Sequence, residues 1–245
     1  MPLTHCLVKL DFKNAFNSIR RDCLREAVAS IAPSLLGYFD SAYGATTKLF
    51  FSEHIVELAE GIQQGDPLSP LLVCLTIHPV LSDIQSDFVS GYLDDIAISG
   101  ATKTVADDVR RLKNQAKVIG LQMNKNKCGI IGLSPLNQEN WQSNEFCFLE
   151  TPCCKASLLG APITAGENID SFLALKRTEL EILLNRLSLT PAHTALFLIK
   201  NALAIPKLLY LLRTSCFESS ELNLYDEALR VSLSSRLTVD LGHQA

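Results

Sequence analysis

Two adjacent aspartates, Asp94 and Asp95, sit inside the run Val89-Ser90-Gly91-Tyr92-Leu93-Asp94-Asp95-Ile96-Ala97-Ile98-Ser99, with apolar residues on both sides. The pattern predicts a hairpin: a short strand, a turn carrying two carboxylates, and a second strand. Aspartate is common in turns, so the pair alone says little. Adjacent carboxylates repel, however, and a divalent metal is the commonest chemical reason to hold them together. A third aspartate, Asp11, ends another apolar run, Cys6-Leu7-Val8-Lys9-Leu10. Two strands ending in acids can gather three carboxylates at one end of a sheet. Two-metal phosphoryl transfer uses such a cluster.

Other motifs follow in order along the chain. Leu10-Asp11-Phe12-Lys13-Asn14-Ala15-Phe16 comes first, then Gly61-Ile62-Gln63-Gln64-Gly65-Asp66-Pro67-Leu68-Ser69-Pro70, then the Tyr-Leu-Asp-Asp hairpin. Gly120-Leu121-Gln122-Met123-Asn124-Lys125-Asn126-Lys127-Cys128 and Leu158-Leu159-Gly160-Ala161-Pro162-Ile163 come after it. In this order they resemble motifs A to E of a reverse transcriptase palm. The details are most similar to non-LTR (LINE-type) retrotransposon enzymes. Each motif alone is weak; five in sequence are specific.

The resemblance implies an RNA-directed DNA polymerase with a role for each matching residue. Asp11 and Asp94 match the family's two metal-binding carboxylates, Asp95 supports the metal site, and the Phe12 carbonyl is a further ligand. The implied cofactor is a pair of Mg²⁺ ions, with Mn²⁺ as an alternative, since hard oxygen ligands suit them. One ion would activate the primer 3′-hydroxyl and the other would hold the triphosphate. Phe16 matches the aromatic gate that leaves no room for a 2′-hydroxyl, although read alone it is an ordinary core residue. Gln64 and Gly65 match the pair at the incoming nucleotide, where glycine lets backbone approach closely. Lys127 matches the lysine that protonates leaving pyrophosphate; a lone lysine is otherwise a solvated charge. Leu159 and Gly160 match the primer-grip turn, and Tyr92 is a further primer contact. The implied partners are an RNA template, a DNA primer and dNTPs.

These residues need a scaffold, and the hydrophobic pattern supplies one. Residues 6–11 read as a strand, Arg21–Ile31 as a helix, and Thr46–Leu58 as a hairpin. Leu68–Gln85 read as a long helix in which Pro79 implies a kink or an early end. Residues 89–99 form the acidic hairpin, and Lys103–Val118 fit an amphipathic helix with Val105, Val109, Leu112 and Ala116 on one face. Cys128–Leu133 read as another strand. The expected fold class is therefore α+β. It is a palm of split β-α-β-β-α-β order, an antiparallel sheet with helices on one face. Residues 134–157, with Pro135, Asn137, Asn140, Asn144 and Pro152, read as loop. Beyond Asn168 the pattern is helical. Leu173, Leu180, Leu184 and Leu187 share a face, Thr190-Pro191 reads as an N-cap, and Leu222, Tyr225, Leu229, Leu233 and Leu237 mark a last helix. We expect a palm over 1–164 and a helical thumb-like region over 165–245.

Composition sets bounds. The chain has 245 residues, 47% of them apolar, enough to pack a large core. By hydropathy no apolar run reaches membrane-spanning length, and Met1-Pro2-Leu3-Thr4-His5 lacks the pattern of a signal peptide. An intracellular location, nuclear or cytoplasmic, is expected. The eight cysteines, Cys6, Cys23, Cys74, Cys128, Cys147, Cys153, Cys154 and Cys216, read as reduced core thiols. Cys147, Cys153 and Cys154 lack the spacing and the nearby histidine of a zinc site.

The net charge of −4 argues against tight autonomous binding of nucleic acid. Motif A lies near the start of the sequence, which suggests a palm and thumb without the family's fingers. Two competing readings stand beside the polymerase. One is an RNA-dependent RNA polymerase, which Phe16 and the Tyr-Leu before the acidic pair disfavour. The other is a decayed or domesticated remnant that folds without polymerising.

Overall fold

The computed structural model describes residues 4–132, 141, 148–215 and 220–237. The chain divides into two compact units, at Thr151 and Pro152. The first opens with β1 (His5–Leu10), which delivers Asp11 at its end, and a single helical turn, α1 (Ala15–Ser18). The helices α2 (Arg21–Ile31) and α3 (Leu36–Tyr43) follow, then the hairpin of β2 (Thr47–Phe51) and β3 (His54–Leu58). Next come α4 (Ser69–Ser82), β4 (Phe88–Tyr92), β5 (Asp95–Ala101), α5 (Thr102–Val118), β6 (Gly129–Ile131) and β7 (Leu149–Thr151).

The sheet order is β4-β5-β1-β6-β7. Its first four strands are antiparallel neighbours in the split β-α-β-β-α-β arrangement. The fifth departs from the all-antiparallel expectation, because β7 runs parallel to β6. Parallel neighbours cannot be joined by a two-residue hairpin and need a connection of about a dozen residues or more. Pro135, Asn137, Asn140 and Asn144 of the segment read as loop lie outside the described residues.

Strand alternation explains the core. Cys6, Val8 and Leu10 of β1 share one buried cluster with Ile96 and Ile98 of β5, and with Leu24 and Val28 of α2. Leu72 and Val73 of α4 and the Val105-Val109-Leu112-Ala116 stripe of α5 join the same cluster. The odd-numbered residues of β1 therefore point to the opposite face, and Asp11 is next in that series. α4 keeps Pro79 inside it and ends at Ser82, short of the expected Gln85. Arg21 fastens the loops beyond α3, donating from Nε to the Gly61 carbonyl (2.8 Å), from Nη1 to that of Ala45 (2.9 Å) and from Nη2 to Thr47 Oγ1 (3.2 Å).

The second unit holds β8 (Ser157–Leu158), β9 (Ala161–Pro162), α6 (Glu167–Leu187), α7 (Ala192–Leu198), α8 (Ile205–Thr214) and α9 (Ser220–Leu237). The β8–β9 hairpin belongs with it because it packs on α6 and α8. The leucine stripe of α6 is buried as expected, with Ile199, Leu208, Leu211 and Tyr225 around it. Thr190 does not cap α7. Its hydroxyl turns back to the Leu187 carbonyl at 2.7 Å and closes α6 instead.

Two further expectations need correction. Ala192–Thr214 is long and apolar enough, by length and composition, to cross a membrane. It is nevertheless broken by a π-turn over Ile199–Leu203 and by Ala204, whose φ and ψ are −85° and −108°. Ala195, Ile199, Ala204, Leu208 and Leu211 turn inward to the second core. Of the cysteines, Cys6 and Cys128 are buried, but Cys74, Cys153 and Cys154 are exposed and Cys23 is half-buried. Apolar neighbours in sequence do not by themselves bury a side chain on the outer face of a helix or turn. Cys147 and Cys216 lie outside the described residues.

Asp108 is buried in α5, where it accepts from the Gln85 amide (3.0 Å), the Ser86 amide (2.8 Å) and Ser86 Oγ (2.6 Å). It thereby fixes the entry to β4 and the acidic hairpin. Removing it strands three donors. Asp108→Ala should lower the unfolding free energy by about 2–4 kcal/mol. Asp107→Ala, which loses an exposed ion pair with Arg110, should cost about 0.5 kcal/mol or less. Urea denaturation of the two variants checks the contrast.

Candidate active site

The ladder between β1 and β5 fixes the acidic cluster. Leu10 pairs with Ile96, so one further step of the same register sets Asp11 opposite Asp95. Tyr92 pairs with Asp95 across the hairpin, which leaves Leu93 and Asp94 as a two-residue loop. Leu93 takes a φ of +58°, a left-handed conformation that costs a leucine about 1–3 kcal/mol. Asp94 is half-buried beside Asp95. The structure thus brings the three predicted carboxylates together at one end of the sheet.

Asp11 is half-buried. Its Oδ1 is buried with no hydrogen-bond partner, and its Oδ2 lies 3.8 Å from Lys127 Nζ. Its backbone is gripped from below. The Asn124 amide donates to the Asp11 carbonyl at 2.8 Å, and the Asp11 amide donates to Cys128 Sγ at 3.5 Å. Phe12 is bridged to Met123, and the flanking bonds use the Asp11 carbonyl and the Lys13 amide, not the carbonyl of Phe12. Asp95 is held above the usual carboxylate range by burial, then by the charges of Asp94 and Asp11, with Lys9 and Lys127 opposing them. Burial likewise raises the Cys128 thiol, which stays neutral against Asp11.

A buried acceptor without a donor and a set of repelling carboxylates are what a divalent cation would satisfy. All the donors are hard oxygens, so the residues fit Mg²⁺ or Mn²⁺. Among the described residues, no group of three or more His, Cys, Asp or Glu side chains is placed to hold a metal ion by itself. A magnesium site that shares its ion with substrate phosphates and waters takes only one or two carboxylates from the protein.

Phe16 lies in α1, half-buried against the main core. Its carbonyl accepts the Ile62 amide at 2.7 Å, and the Gly61 amide donates to the Ile19 carbonyl at 2.9 Å. These bonds join the segment after Asp11 to the turn that carries Gln64 and Gly65, both exposed. Gly65 has a φ of +102° with open space where a Cβ would be, so backbone conformation rather than crowding calls for glycine. Tyr92 is exposed beside the acidic loop. Leu159 and Gly160 belong to the second unit, where they form the β8–β9 turn with φ of +49° and +82°. Tyr210 donates a 2.5 Å hydrogen bond to the Leu159 carbonyl.

Four residues near the predicted set are given no role of their own by the motif strings that contain or adjoin them. Lys9 reaches the cluster by strand alternation, Asn124 and Cys128 by long-range backbone contacts. Asp66 is the fourth. Its Oδ1 accepts from Tyr38 (2.9 Å) and the Leu68 amide (2.9 Å), and its Oδ2 accepts from Tyr43. Burial pushes the Asp66 pKa up, but these hydrogen bonds outweigh it and hold the carboxyl below its ordinary value.

Comparison with known proteins gives a consistent picture. Residues 2–152 match the family of reverse transcriptases (RNA-dependent DNA polymerases). The chain is 27% identical over 139 residues to the 132 kDa protein of the retrotransposable element SLACS from Trypanosoma brucei gambiense, covering 52% of this chain and 12% of that protein. It is 26% identical over 145 residues to the retrovirus-related Pol polyprotein of a type-2 retrotransposable element from Drosophila melanogaster, covering 52% of this chain and 14% of that one. The chain thus spans a small part of the length of these curated relatives. Among solved structures, it aligns with telomerase from Candida tropicalis at 14% identity and a TM-score of 0.46, over 95% of this chain and 43% of that one.

The raised pKa of Asp95 has a definite consequence. Above that pKa the folded protein carries a charge it disfavours, and the penalty fades as pH falls toward the unfolded value near 3.8. In EDTA, Asp95→Asn should therefore melt above the wild type at pH 7, with the gain shrinking toward zero near about pH 4. Melting curves across that range check it; a gain independent of pH would exclude charge repulsion as its source.

Proposed function

The chain belongs to the reverse transcriptase family, and on that footing we propose that it is the nucleotidyl-transfer segment of a non-LTR retrotransposon's RNA-directed DNA polymerase. It adds dNTPs to a primer 3′-hydroxyl on an RNA template. Its motifs A to E lie within residues 1–164, the last of them on the β8–β9 hairpin that packs with the second unit, and 165–245 are its thumb-like region. The observation that carries this reading is that Asp11 and Asp95 both lie one step beyond the last β1–β5 pair, Leu10 with Ile96, and near enough for the charges of Asp11 and Asp94 to raise the pKa of Asp95.

Asp11, Asp94, Asp95 and the Phe12 carbonyl would hold the divalent ions. When bound, two such ions supply Lewis-acid activation of the 3′-hydroxyl and charge neutralisation at the triphosphate. The chain's own groups do the rest. Phe16 lies under the sugar and excludes a 2′-hydroxyl. Gln64 lies along the nucleotide, and Gly65 offers backbone with no side chain in the way. Lys127, with a 69% exposed side chain and a loose ion pair to Asp11, turns to the leaving pyrophosphate and gives it a proton. Tyr92 and the Leu159–Gly160 turn contact the primer.

Primer extension on an RNA template with Mg²⁺ at low salt is the direct test. The wild-type chain should extend only weakly, losing the substrate as salt approaches physiological strength, and Asp11→Asn or Asp94→Asn should abolish what extension there is while leaving the fold intact. A wild-type chain that binds primer–template yet adds nothing would favour the remnant reading.

Phe16→Ala should raise ribonucleotide over deoxynucleotide incorporation by about 10- to 100-fold, the range one lost steric contact commands. The ratio of kcat/KM for the paired nucleotides measures it. Unchanged discrimination in an active chain would assign Phe16 to core packing alone.

A further inference from the structure

The Gln64–Gly65 turn is exposed, contains a glycine in a left-handed conformation, and is closed locally by a long bond from the Asp66 amide to the Gln63 carbonyl (3.4 Å). Its anchors lie on either side. At one end the Gln63 carbonyl accepts from Ser69 Oγ at 2.8 Å. At the other, Asp66 accepts from Tyr38, Tyr43 and the Leu68 amide. Tyr43 connects the two ends, because its hydroxyl also lies 3.4 Å from Ser69 Oγ.

Tyr43 is itself immobilised. It is 3% exposed, packs on Phe39 at 5.6 Å between ring centroids, and sits under the Arg21 guanidinium at 5.6 Å. The same Arg21 donates to the Gly61 carbonyl at the start of the segment. A rigid path therefore runs from α2 and α3 to both ends of the turn.

We propose that Asp66, clasped by Tyr38 and Tyr43, is a positioning residue that fixes the Gln64–Gly65 turn in the shape that receives the incoming nucleotide. The proposal rests on the polymerase reading of the site. Asp66 is not a catalytic residue: both its oxygens accept hydrogen bonds from the chain, and it acts through its neighbours Gln64 and Gly65. A simpler role would be capping α4 through the Leu68 amide. Capping accounts for one of the three bonds and leaves the two phenols of α3 without a purpose.

The two roles separate experimentally. Tyr38→Phe removes one hydroxyl from a partly exposed ring and leaves the α4 cap in place. Asp66→Ala removes clasp and cap together. Binding of a fluorescent (mant-labelled) dATP to the whole chain with primer–template, and steady-state dNTP KM and kcat, are measured beside thermal melting. Tyr38→Phe should raise the nucleotide Kd and KM about fivefold, the worth of one ordinary hydrogen bond, with kcat within twofold and melting lowered only slightly. Asp66→Ala should raise them further, and Asp66→Asn, which keeps one acceptor oxygen, should recover part of the loss.

If the wild type binds nucleotide and Tyr38→Phe and Asp66→Ala bind it equally well, the clasp is only a helix cap and the proposal is overturned, with the polymerase reading untouched. A wild-type chain with primer–template that binds no dNTP overturns the polymerase reading and the clasp with it.

Discussion

Three carboxylates at one edge of a sheet repel one another, and the antiparallel ladder between β1 and β5 holds them there against that repulsion. Like charges about 4 Å apart near a protein surface cost about 1–4 kcal/mol. The ladder runs for six residue pairs, with β6 adding three on the other side of β1. Hydrogen bonds of about 1 kcal/mol each, together with a buried apolar face, outweigh the repulsion. The charged edge is therefore a consequence of a well-satisfied sheet. The buried, unpartnered Oδ1 of Asp11 and the raised pKa of Asp95 are the residue of that conflict.

Alternation then separates scaffold from chemistry. The even-numbered positions of β1 and β5 bury into the helices, and the odd-numbered ones reach Lys9, Asp11 and Asp95. A slip of one residue would exchange Asp11 with Leu10 and place a carboxylate in the apolar core. The same residues that stabilise the fold thus enforce the register of the site. A second set of constraints joins distant segments. The Ile62 amide on the Phe16 carbonyl ties the aromatic after the first acid to the turn bearing Gln64.

Much of the first unit was legible because its signals are local. The α2 boundaries, the 47–58 hairpin and the acidic hairpin follow from periodicity and turn residues acting within a few positions. The departures have one common cause. Thr190 prefers the Leu187 carbonyl to the role of cap, β7 runs parallel to β6, and Ala192–Thr214 breaks at Ala204. In each, a tertiary partner or a backbone bond outweighs a local propensity that is worth less.

By itself the sequence determined the split β-α-β-β-α-β order, the motif series and the identity of Asp11, Asp94 and Asp95 as the acids at issue. Strand alternation and motif spacing are properties of the chain alone, so they survive without coordinates. Only the tertiary structure decided that Asp11 faces Asp95, that Lys127 and Lys9 temper their charge, and that Cys128 and Asn124 grip the Asp11 backbone. It also decided that two tyrosines of α3 converge on Asp66. Those contacts join residues from 23 to 117 positions apart. Their energy depends on the packing that brings them together, and no local pattern encodes that packing.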